Sequence, residues 1–122
     1  MGKALDVVKA YYDAFDKHEK SWQELVADNI SFEGPLQRAS DKKGFVDLTE
    51  QFLQFHKQTR LLKRFEDGDQ VCSIYEFVVQ TPADKTLSCS VAEWVKVSNG
   101  KIAEIKIYYD PREFAKAFGM QT

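Results

Sequence analysis

The residue best placed to do chemistry is Glu93. The segment 86–97 alternates, with Cys89, Val91, Glu93, Val95 and Val97 forming one row and mostly polar residues the other. Alternation of this kind marks a strand with one face turned to a core. A carboxyl in the middle of that row points at apolar surroundings. An isolated buried carboxylate costs several kcal/mol, so it must pair, hold its proton, or line a wet cavity. Perturbed carboxyls of this kind are what general acid–base chemistry uses. Two other readings stay open. A bulge near Ser90 would turn Glu93 to solvent and Trp94 inward, and an inward Glu93 could serve a purely structural hydrogen bond. The other reactive side chains carry weaker signals. His18, His56, Cys72 and Cys89 show no metal-ligand spacing, so no metal site is expected. His56 falls near the end of a predicted helix, where the dipole alone favours a histidine. Cys89 shares the Glu93 row but reads as a small buried hydrophobe.

The elements that would hold Glu93 follow from periodicity. Leu5, Val8, Tyr12 and Phe15 recur at helical spacing, with Ala4 and Tyr11 widening the face. Ser21-Trp22-Gln23-Glu24 matches a capping box and predicts a second, short helix. Ile30 to Glu33 predicts a short strand, stopped at Gly34-Pro35. Ser40 then caps a longer helix to about Lys57, with Phe45, Leu48, Phe52 and Phe55 as its core stripe and Thr49 and His56 alongside. The second half reads as strands. Segments 59–66 and 70–81 flank Asp67-Gly68, and 86–97 and 101–109 flank Asn99-Gly100, two hairpin-turn pairs. The inward rows are Val71, Ser73, Tyr75, Phe77 and Val79, then the Glu93 row, then Ala103, Ile105, Ile107 and Tyr109. Asp110-Pro111 starts a short C-terminal helix carrying Phe114 and Phe118, ended by Gly119. Three helices followed by a four-strand meander make an α+β layout in which helices cover one sheet face.

The 122 residues fit one domain, 1–122. The net charge is −2, with no block of like charges, so a nucleic-acid partner has no electrostatic footprint. Apolar runs are too short to span a membrane, and the N-terminal segment lacks the apolar stretch of an export signal. Two lone cysteines then read as reduced thiols, and the expected location is cytoplasmic.

The order of these motifs, from VVKAYYDAF through ELVADNISFEGP to AEWVKVSNGKIAEIKIYYDP, resembles the SnoaL-like and ketosteroid isomerase-like proteins of the nuclear transport factor 2-like superfamily. The resemblance implies a cone: a strongly curved antiparallel sheet wrapped around a long helix, of the cystatin-like type, with an apolar pocket at its open end. In the isomerases, which serve as an established example of pKa tuning, a first-helix Tyr and a protonated strand acid form the oxyanion hole, and an Asp beside a Pro moves the proton. The matching positions here are Tyr11 and Glu93. The base position falls on Gly34, which has no side chain, so the steroid-type reaction is not expected. A carboxyl moving one proton while a phenol steadies an enolate is the chemistry that remains, with Glu93 and Tyr11 as catalytic candidates and Tyr75 or His56 assisting. Tyr11 and Tyr12 compete for the deepest position. Phe15, Trp22, Phe32, Phe52, Phe65, Phe77, Val91 and Ile105 complete the expected lining.

Three functions follow: a cofactor-free isomerase, cyclase or lyase acting on a small apolar molecule, a non-catalytic binding module, or a protein-interaction domain. The opposite sheet face carries Ile74, Val78, Trp94 and Tyr108 among Glu76, Lys96, Glu104 and Lys106, too apolar for a solvated surface. Relatives commonly dimerise through this face, and a homodimer with charged pairs across the interface is expected.

Overall fold

The structure is a computed structural model and describes residues 3–119. Helix α1 (Lys3–Asp16) leads into a 3-10 segment (Lys20–Leu25), strand β1 (Val26–Glu33), the two-residue β2 (Arg38–Ala39) and helix α2 (Lys42–Leu53). Strands β3 (His56–Asp67), β4 (Gln70–Gln80), β5 (Thr86–Ser98) and β6 (Lys101–Tyr108) follow, then helix α3 (Arg112–Phe118). All six strands form one curved, unclosed sheet in the order β2-β1-β6-β5-β4-β3. Only the β1–β6 pair is parallel. The α+β architecture is the expected one.

Both hairpins form at the predicted dipeptides. Asn99 and Gly100 have φ of 54° and 75°, the pair of left-handed conformations that a tight β5–β6 turn needs. Gly68, at φ 62°, turns β3 into β4. The inner rows of β4 and β5 match the alternation: Val71, Ser73, Tyr75 and Val79 are buried, as are Val91, Glu93, Val95 and Val97. On β6 the row changes. A bulge between Lys96 and Val97 sets Val97 opposite Ile102, so fully buried Ile102 replaces the expected Ala103 at that end. One extra residue reverses the inward set beyond it.

The helix ends also differ from expectation. Asp41, not Ser40, caps α2: its Oδ1 accepts the Gly44 N–H at 2.8 Å. The helix stops at Leu53, so His56 opens β3 instead of closing α2. The Ser21–Glu24 segment makes a tight 3-10 turn with Glu19 at its start and no side-chain cap. Trp22 projects from this turn into the core, 1% exposed, edge-on to Tyr11 and Phe45 and tilted against Phe15. It wedges the turn beneath α1 and α2, which explains why the short segment is held without a cap. Truncating Trp22 to Ala is expected to cost about 3–5 kcal/mol. Urea denaturation would register this as a lower midpoint at an unchanged slope.

Candidate functional site

Helices α1 and α2 lie over the inner sheet face and leave a partly open cavity of about 130 Å³. An apolar cavity of about 150 Å³ can hold a benzene ring, so one small ring fits the closed part. The walls are mostly aromatic: Phe15, Phe32, Phe45, Phe52, Phe77 and Phe114, with Tyr109. Polar groups reach in from Gln37, Thr49 and Thr59, and from the Glu93 cluster.

Glu93 lies between Ser73 of β4 and Ile107 of β6 in the sheet register, and is 5% exposed. Its row contains no bulge near Ser90, so it faces inward and Trp94 faces out, 44% exposed. Glu93 Oε1 accepts two phenol hydrogen bonds, from Tyr12 at 2.5 Å and Tyr75 at 2.6 Å. These lengths fall in the range of O–H donors to a charged oxygen. No protein donor among the described residues is placed on Oε2, and no side-chain polar atom there is both buried and unpaired, so Oε2 keeps some exposure on a residue that lines the cavity. Burial pushes the Glu93 carboxyl above its ordinary range; the two phenols and the nearby Arg64 charge pull it back, and burial wins. Glu93 therefore titrates closer to neutrality than a free carboxyl, which suits a group that both takes and returns a proton.

Tyr11 and Tyr12 divide the roles that one residue was expected to fill. The buried stripe of α1 runs Ala4, Val8, Tyr11 and Ala14, one position off the predicted centre. Tyr12 stands on its flank, edge-on to Tyr75, and it is Tyr12 whose phenol meets Glu93. Tyr11 lines the same cavity, and its hydroxyl, like Oε2, has no protein partner among the described residues and is not sealed off. Burial first, then the Glu93 charge, hold the phenols of Tyr11, Tyr12 and Tyr75 well above their ordinary range, so all three remain proton donors at neutral pH. Among the described residues the cavity thus presents one carboxyl oxygen and one phenol without a protein partner.

The remaining expected lining residues separate. Phe15, Phe32, Phe52, Tyr75, Phe77 and Val91 line the cavity. Trp22 and Ile105 do not: both are fully packed beneath it, Ile105 at 1% exposure. Phe65 points to solvent from the edge strand, 52% exposed, because a bulge between Leu61 and Lys63 resets which β3 residues face in. His56 stands behind the wall. It stacks on Phe77, takes Phe15 edge-on, and is hydrogen-bonded to Thr59 Oγ1 and His18 Nε2, both at 2.9 Å. Burial lowers its pKa, against the opposing pull of Asp16. The expected lining left out Gln37, Phe45, Thr49, Thr59, Cys89, Ile107, Tyr109 and Phe114. Thr49 and Tyr109 sit on expected inward faces, but Gln37 lies in a turn that periodicity does not address.

Gly34 clarifies the missing second acid–base group. A Cβ built there would lie 2.8 Å from Ile107 Cγ1, so the Ile107 side chain fills the place of any side chain at 34. Among the described residues no group of three or more His, Cys, Asp or Glu is placed to hold a metal ion. No described helix is long and apolar enough to cross a membrane.

A family model for the SnoaL-like domain matches residues 8–105. No functionally curated protein matches the sequence. Several solved structures share the fold. An NTF2-like protein of unknown function from Cytophaga hutchinsonii is 22% identical, with 91% of this chain and 93% of that one covered, at a TM-score of 0.78. A Bacillus subtilis protein provisionally named an isomerase is 18% identical, with 98% and 94% covered, at 0.82. A protein of Jannaschia sp. CCS1, provisionally named a SnoaL-like polyketide cyclase, is 10% identical, with 98% and 94% covered, at 0.81. Identities this low establish the fold alone, but the family model spans most of the chain: it belongs to the SnoaL-like family.

Proposed function

We propose that this chain binds a small, largely apolar carbonyl compound in its aromatic cavity and moves one proton on it without a cofactor, as an isomerase, cyclase or lyase would. The observation that carries this reading is the pairing of a free Glu93 Oε2 with a free Tyr11 hydroxyl on one apolar cavity. Glu93 would take a proton from carbon beside the carbonyl, and the Tyr11 O–H would stabilise the enolate oxygen. A well-placed donor of this kind lowers the barrier by about 3–4 kcal/mol. Tyr12 and Tyr75 would hold the carboxyl in place. The isomerase and cyclase names among the structural neighbours agree with this chemistry. A second reading, binding without turnover, is favoured by Ile107 filling the space at Gly34. One carboxyl can then move a proton only by returning it from the same side.

The outer sheet face supports a homodimer. Trp94 and Tyr108 are 44% and 55% exposed, and Ile74 is half-buried beside them. Val78 is itself buried and offers little to a partner. Lys106 lies 3.9 Å from Glu104 and Arg60 3.2 Å from Glu76, so these charges already have partners within the chain. The free thiols Cys72 and Cys89 agree with a cytoplasmic location.

Three outcomes are expected. With 2-tetralone in D2O, the protein accelerates deuterium uptake beside the carbonyl, and Glu93→Gln lowers that rate by about 100-fold or more. Binding of 2-tetralone with exchange no faster than buffer would select the non-catalytic reading. Glu93 also imprints a pH signature on stability. Its carboxyl is raised in the folded state, so its contribution is intact below the ordinary carboxyl value of 4.5 and is lost as pH rises through the folded value. The melting temperature of Glu93→Gln relative to the parent should therefore climb as pH rises above 4.5 and level off once the folded carboxyl has lost its proton. Light scattering should give about twice the 14.1 kDa chain mass, and Trp94→Glu should halve it.

A further inference from the structure

Strand β3 is one edge of the sheet, yet one of its cations is turned inward. The register explains how. Leu61 pairs with Tyr75 and Lys63 with Ile74, so Leu62 is the extra residue of a bulge. Continued without it, the ladder would set Lys63 opposite Ser73. With it, Arg64 takes that position. Ser73 is fully buried, and its other strand neighbour, across β5, is Glu93. Residues directly opposite on neighbouring strands share a face, so Arg64, Ser73 and Glu93 form one row across the inner sheet.

The Arg64 side chain closes this row. Its Nε donates to Ser73 Oγ at 2.8 Å. Its guanidinium carbon lies 5.0 Å from the centre of the Tyr12 ring, within cation–π range. Tyr12 in turn donates to Glu93 Oε1. Arg64 is half-buried and outside the cavity lining, so it touches the site through Tyr12 and Ser73 while its charge acts on Glu93 from behind them.

We propose that Arg64 is a positioning residue for this site: anchored on Ser73, its guanidinium fixes the Tyr12 phenol against Glu93 and supplies the buried carboxylate with its counter-charge. The proposal rests on the reading that Glu93 carries the chemistry of the cavity, and it names the group that keeps that carboxyl usable. Among the described residues the groups acting on the Glu93 carboxyl are Tyr12 from α1, Tyr75 from β4 and Arg64, and Arg64 is the one cation of the three; Tyr11 and Cys72, neutral when protonated, feel the Glu93 charge in turn. A lysine would keep the charge but lose the planar fork that lets one side chain stack on a ring and donate sideways to a hydroxyl.

Carbon-detected NMR of the Glu93 side-chain carboxyl, assigned by its loss in Glu93→Gln, tests this directly and needs no ligand. In Arg64→Met the titration midpoint should move up relative to the parent, and Arg64→Lys should fall between the two. The pH profile of 2-tetralone exchange should shift to higher pH in the same order, with a several-fold loss for Arg64→Met on the acid limb. Ser73→Ala, which removes the anchor and leaves the charge, should move the midpoint in the same direction as Arg64→Met and by less, and it serves as the test if Arg64→Met does not fold. Identical midpoints in the parent and the folded charge-removing or anchor-removing variant would overturn the role of Arg64. If the parent catalyses no exchange while the midpoints still shift, Arg64 keeps its role and it is the proposed reaction that fails.

Discussion

The site depends on how a carboxyl is kept inside an apolar cone. Among the described residues Glu93 has no ion partner in direct contact; two phenols share one of its oxygens instead. A direct buried salt bridge would satisfy the charge more fully, but it would also silence the carboxyl, because a tightly paired acid stays ionised far below neutral pH. Two neutral donors on one oxygen hold the group in place and leave the other oxygen free. The positive charge stands one residue further back, behind the Tyr12 ring. This spacing leaves burial the largest influence on Glu93 and makes its affinity for a proton adjustable.

The aromatic content of the chain follows from the same constraint. A cavity that must remain open between two helices and a sheet cannot be supported by close packing across it. Rigid side chains in edge-to-face contact around the rim do that work with little conformational freedom to lose. Tyr11, Phe15, Trp22 and Phe45 form one connected set beneath α1 and α2. Phe52, Phe114 and Phe118 form another, through which the short helix α3 docks beside the cavity. His56 belongs to the first set. It ties the end of α1, through His18 and Asp16, to the start of β3, and stacks against Phe77 on the cavity wall.

What the sequence made legible, and what it hid, divides along a physical line. Alternation with period two is a strong signal on central strands, and it placed Tyr75, Phe77, Val91 and Glu93 on the inner face. Wherever a bulge adds a residue the signal inverts, which is why Phe65 on β3 faces water and Ile102 on β6 replaces Ala103. Neither bulge has a composition of its own, since the extra residues, Leu62 and Ala103, are ordinary strand residues. The choice between Tyr11 and Tyr12 failed for another reason. Adjacent helical residues differ by about 100° in direction, but a long phenol on the flank of a stripe can reach a strand as well as one at its centre. Only the crossing of α1 over β4 and β5 decides which hydroxyl meets the carboxyl. Trp22 was misread because a large aromatic beside a cavity and one beneath it look alike in sequence.

Gly34 and Ile107 set the limit on chemistry. A reaction that takes a proton from one carbon and delivers it to another at a distance needs either two acid–base groups or one that swings. Here the second position is a glycine whose side-chain direction is occupied by Ile107, and Ile107 is the β6 partner of Glu93 in the ladder. The residue that excludes a second acid is thus packed beside the first one, and makes its surroundings less polar. That arrangement trades reach for a more strongly perturbed carboxyl. It confines the proton to whatever Glu93 Oε2 can touch without leaving the two phenols that hold Oε1. Chemistry in such a cavity is therefore local: removal and return at one carbon, or at two carbons that both lie within reach of a single fixed oxygen.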